Sequence, residues 1–86
     1  MTNILSIKQD LINRLRLRRK EAKISQSVLA EKSGVSLGSL KRFENKGEIA
    51  LSSLLQIAFA LGYEEDFNRL FEHKNYQSLD EIINEK

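Results

Sequence analysis

An all-α fold is predicted for this chain of 86 residues on three observations. It has no Pro and only four Gly, which leaves long stretches free to be helical. Its apolar residues recur at helical spacing, as at Ile7, Leu11 and Leu15, and no segment carries a strand signal. Ser before an apolar run and Gly after it recur along the chain, at the positions of helix caps. The length is that of one domain, and a helical bundle of this size can bury a core unaided.

Five helices and an extension are expected in order. Ser6 is read as the cap of the first, with Gln9 three residues on as in a capping box, and the helix runs to about Ala22. Ile7, Leu11 and Leu15 form its inward face; Arg14, Arg16, Arg18, Arg19, Lys20 and Lys23 occupy the others. Ser25 caps a second helix, Gln26 to about Lys32, which Gly34 ends. Ser36 caps a third, Leu37 to about Glu44, with Asn45, Lys46 and Gly47 as a loop. Ser52 caps a fourth, Ser53 to Leu61, closed by Gly62. The acids Glu64, Glu65 and Asp66 open a fifth, where they favour the positive end of its dipole. Its stripe of Phe67, Leu70 and Phe71 is read as core filling in preference to a dimer surface. Ser78-Leu79-Asp80-Glu81 is a further capping box before a short amphipathic turn with Ile82 and Ile83, which packs on the bundle or binds something else. Residues 1–72 form the domain and 73–86 the extension.

Composition narrows the function classes. Cys is absent, so there is neither a disulfide framework nor a thiolate metal site. No run approaches the roughly 18 apolar residues of a membrane span, and the N-terminus lacks the order of a signal peptide; a cytoplasmic protein with no membrane partner is expected. Met1 to Gly47 carries 11 Lys/Arg against 4 Asp/Glu, a net +7, and Glu48 to Lys86 carries 3 against 8, a net −5. A basic half suits a polyanion and an acidic half a protein contact, with solvated helix faces as the plainer alternative. No enzyme is expected, and neither cofactor nor metal. His73 is the single His. Glu64 and Glu65 are adjacent and point to different helix faces, and neither a phosphate-cradling Gly loop nor calcium-loop spacing occurs.

The informative segment runs from Ser25 to Glu44. Two short helices that cross steeply need a small residue at the crossing, and Ala30 supplies it. The turn between them needs a left-handed residue, Gly34, an apolar clamp, Val35, and a cap, Ser36. Leu40 and Phe43 face the core, which turns Leu37, Gly38, Ser39, Lys41 and Arg42 outward.

This segment resembles the Cro/cI-type (Xre) helix-turn-helix family. Ser25-Gln26, Leu29-Ala30, Gly34-Val35-Ser36 and Phe43-Glu44-Asn45 carry the resemblance, with Leu54-Leu55-Gln56-Ile57-Ala58 and Ala60-Leu61-Gly62 beyond; it covers about Leu11 to Leu70. It implies a five-helix, lambda-repressor-like DNA-binding bundle whose third helix enters the major groove of double-stranded DNA, in a homodimer that represses a palindromic operator. Gln26 would lie where relatives touch the phosphate backbone. Arg42 would pair with a guanine and Leu37 meet a thymine methyl. Ser36, Gly38, Ser39 and Lys41 belong to the same face, and Asn45 and Lys46 would grip the backbone. Arg19 and Glu44 match positions that form an internal ion pair in relatives.

Two departures stand out. Gly38 lies where relatives often place a polar reader, and either lets DNA approach closely or leaves a base unread. The loop Lys46 to Leu51 lacks the Pro and extra basic residues common there, which weakens its phosphate grip. Gly47 to Leu55, Leu70-Phe71 and Ser78 to Ile82 also look like HipB-like antitoxins, small Xre-type regulators paired with HipA-like toxin kinases. That resemblance implies a toxin kinase as a second partner.

Overall fold

A computed structural model describes residues 2–74, and these form five helices. They are α1 (Ile4–Glu21), α2 (Gln26–Ser33), α3 (Leu37–Lys46), α4 (Leu51–Leu61) and the single turn α5 (Glu65–Asn68). No strand occurs among the described residues. The capping box at Ser78 lies outside them.

The caps explain the boundaries. Asn3, not Ser6, begins α1: its side chain accepts from the Ser6 amide at 2.8 Å, and Ser6 Oγ accepts from the Asn3 amide at 3.0 Å. A capping box is present, one turn earlier than expected. At the other end the Lys23 amide donates to Lys20 and the Ile24 amide to Arg19, the paired bonds of a Schellman turn. It is closed by Lys23 at φ 60° in place of Gly. Ser25 and Ser36 cap α2 and α3 through the amides of Val28 and Ser39. Gly34 closes α2 at φ 78°, a conformation that an L side chain adopts only at a cost. Asn45 and Lys46 are helical, not loop, so α3 ends at Gly47. Helix α4 starts at Leu51 behind Ala50, with no side-chain cap, and Ser52 lies inside its first turn.

Helix α2 packs against both α3 and α4, and α1 lies against α3. Leu29, Ala30, Val35, Leu40 and Ile57 form the buried centre, and Ile12, Phe43 and Ala58 are buried as well. Leu29, Leu40 and Ile57 are fully enclosed, each contributing about 1.5–3 kcal/mol by burial.

Two apolar stripes differ from expectation. The buried face of α1 is Ile12 and Arg19 with half-buried Leu15, whereas Ile7 and Leu11 are 46% and 41% exposed. The same i, i+4 row meets the core at Leu15 and Arg19, while its N-terminal members Ile7 and Leu11 lie at the margin. Leu70 and Phe71 are 57% and 95% exposed and do not fill the core; of that stripe only Phe67 is half-buried. Helix α5 ends at Asn68 and Phe71 adopts φ 66°, so helical spacing does not continue through it.

Candidate nucleic-acid interface

Helix α3 is placed by what lies beneath it. Its inner side holds Leu40 and Phe43 in the core, and the turn Gly34-Val35-Ser36 sets its start against α2, with Val35 buried. Its outer side presents Gly38, Ser39, Lys41, Arg42, Asn45 and Lys46, all exposed. These six expected site residues therefore share one solvent-facing surface of one helix, together with exposed Ser36 at its start. The Ser36 hydroxyl accepts from the Ser39 amide and donates to Ser39 Oγ at 2.8 Å, so the two hydroxyls are tied to each other.

Leu37 departs from the expected outward position. It is half-buried and packs against the core. Side chains on a helix tilt toward its N-terminus, and for the first residue of α3 that direction leads back over the turn.

Gln26, the first residue of α2, is half-buried and has a defined partner: its Nε2 donates to Glu44 Oε1 at 2.9 Å. Glu44 is 4% exposed and collects cations. Arg19 Nε donates to its Oε2 at 2.9 Å and Arg19 Nη2 to its Oε1 at 3.0 Å, a two-pronged pair with the matched geometry of guanidinium and carboxylate. Arg16 Nε adds a longer contact at 3.8 Å. Arg19 Nη1 also donates to the Ile24 carbonyl at 3.1 Å, so one side chain fixes the α1–α2 connection and the inner side of α3. Arg19 thus has an internal structural role, as the resemblance implied. The pair also holds Gln26, and through it the start of α2, in register with α3.

The end of α3 is fastened differently. Gly47 closes it at φ 72°, and a Cβ there would lie 3.1 Å from Lys8 Cβ. The Lys8 stem thus crosses the glycine, and its ammonium reaches the Glu48 carboxylate in an ion pair. Lys8, and to a smaller extent Arg42 and Lys46, hold the Glu48 carboxyl below its ordinary value. Arg42, Glu48 and Ser39 line a shallow concavity with Ile49, Ala50 and Ser53, between α3 and the start of α4. Sequence reasoning missed Lys8 and Glu48 at this site: the two are 40 residues apart, and no local pattern joins them.

Among the described residues no helix is long and apolar enough to cross a membrane. No curated protein and no solved structure matches the chain. The family model for the helix-turn-helix matches residues 15–68, from the middle of α1 to the end of α5. The matched span holds both helices of the motif, the Gly34 turn and the Arg19–Glu44 pair. The chain belongs to the Cro/cI-type (Xre) helix-turn-helix family and is a DNA-binding transcription regulator.

Proposed function

We propose that the chain is a cytoplasmic repressor that binds a palindromic operator, including one at its own promoter, as a homodimer. The observation that carries this is the exposed outer side of α3. Ser39, Lys41 and Arg42 reach outward from a helix whose other side is locked into the core. Arg42 pairs with guanine in the major groove, and Ser39 and Lys41 contact bases or phosphates. Gly38 lets the backbone approach, and the exposed part of Leu37 meets a thymine methyl. Ser36, Asn45, Lys46 and the amide end of α2 at Gln26 hold the flanking phosphates, which position the protein without reading sequence. Two such helices about 34 Å apart match one turn of DNA.

A second reading has its own support. Leu70 and Phe71 stand exposed at the far end of the domain sequence from α3, and large exposed apolar side chains mark protein contacts when they cluster. In this reading the chain is an antitoxin that neutralises a HipA-like kinase while repressing its own operon. The domain of residues 1–72 then carries the DNA contact through α3, and its exposed Leu70 and Phe71 join the extension 73–86 in serving the partner.

Binding to the DNA upstream of the gene, against scrambled DNA across a salt series, tests the repressor. Sequence-dependent binding is expected. Weak binding without preference, erased by salt, would leave only the electrostatic attraction common to all duplexes.

A further inference from the structure

Every side chain expected to meet DNA from α3 is polar or cationic except Leu37 and Gly38, yet the concavity beside Arg42 contains a carboxylate. Glu48 is fixed there. Lys8 crosses Gly47 with its stem and pairs with Glu48 through its ammonium. The Glu48 side chain remains 49% accessible, so it stays in reach of whatever approaches α3. Its charge is felt by Arg42 and Lys46 as well as by Lys8. An anion at that place has two consequences for a phosphate backbone. It repels the backbone directly, and it occupies Lys8, a cation that would otherwise be free to attract it.

We infer that Glu48, clasped by Lys8 beside the recognition helix, is a discriminating residue whose carboxylate lowers affinity for duplex DNA of every sequence. A lasting complex then depends on base contacts, because the sequence-independent attraction alone is kept weak. The inference rests on the DNA-binding reading of α3. It concerns the strength of phosphate attraction, not which bases are read.

The test uses the full chain and a fluorescent random-sequence duplex, followed by anisotropy across a salt series. Glu48→Gln removes the charge and keeps the shape. It is expected to bind at least about threefold tighter than the parent at about 50 mM salt. One freed cation steepens the salt slope by up to about 0.9, so its advantage shrinks, by up to about 3.5-fold, between about 50 and 200 mM. Lys8→Gln breaks the same bridge but bares the acid, and is expected to bind more weakly than the parent. A purely structural clasp would make both variants weaker, since both lose the same contact, and that result overturns the inference. So does unchanged binding by Glu48→Gln, or equal tightening by Glu65→Gln, an exposed acid on α5 that reports the change in net charge alone. If the parent chain itself fails to bind the duplex at low salt, the DNA-binding reading falls and the inference with it. Binding by the parent with no gain in Glu48→Gln sinks the inference alone.

Discussion

Replacing Arg19 by Met takes the two-pronged partner away from the buried Glu44 carboxylate. Met keeps most of the length of the stem and removes the guanidinium. Glu44 then remains inside with its side chain 3% accessible and both prongs lost. Gln26 Nε2 at 2.9 Å still serves one oxygen, and Arg16 at 3.8 Å offers a partial countercharge, itself 46% accessible. Removing one partner of a buried pair costs about 3–5 kcal/mol. The two remaining donors place this case at the lower end, about 3 kcal/mol. A domain of this size has about 4–13 kcal/mol in total, so Arg19→Met keeps a folded state with a much lower melting point, by about 12–24 °C. Thermal melting followed by far-ultraviolet circular dichroism measures it. Arg19→Met/Glu44→Leu should recover most of the loss, since an apolar pair of similar volume commonly equals a buried ion pair. A drop matching only about 1 kcal/mol, the scale of a surface pair, would refute the argument. So would a double variant no more stable than the single one.

Four further outcomes are expected. Arg42→Ala should lose about 1–3 kcal/mol on the operator and relax preference at one base pair; equal losses on operator and random DNA would reject the base-reading role. Lys46→Ala should weaken all sequences alike and flatten the salt slope by about one unit, which the same salt series checks. Gly38→Ala should raise stability by up to about 1 kcal/mol, since its added methyl meets nothing within 4 Å. Operator affinity falling as the melting point rises would place the backbone of Gly38 against DNA. The Lys8 ammonium holds the Glu48 carboxyl below its ordinary value, so its contribution to stability is complete above the ordinary carboxylate range and fades as pH falls through the folded value. Urea midpoints between about pH 5 and 3 should therefore fall more steeply for the parent chain than for Glu48→Gln.

Much of the helix-turn-helix was legible because its signals are local. Ser25, Gly34 and Ser36 mark boundaries through bonds spanning three or four residues, and the structure has them there. Leu40 and Phe43 were assignable to the core from spacing within one short helix. What failed depended on distant neighbours. Ile7, Leu11 and Leu15 make a regular row, but how much of it is covered depends on the neighbouring helices, and the covered residues are Ile12, Leu15 and Arg19. Ser6 was read as the cap of α1, but Asn3 holds that place because both halves of the box close there, with Ser6 as its third residue. The Arg19–Glu44 pair followed from likeness to a family, since 25 residues separate the partners and no periodicity connects them. The Lys8–Glu48 clasp had neither route.

The Glu44 carboxylate joins three helices, receiving Arg19 from α1 and Gln26 from α2 while standing on α3. These three residues form one inheritable unit: loss of Glu44 strands both donors and loss of Arg19 strands the carboxylate, so they are expected to drift together across a lineage. Ser39, Lys41 and Arg42 stand on the same short helix but outside its buried side, exposed to solvent. Their identities can change without disturbing the unit that orients them. A duplicated copy of such a gene could acquire a new operator through a few substitutions on α3 while its scaffold stayed intact, and the same separation makes the chain a template for retargeting by design.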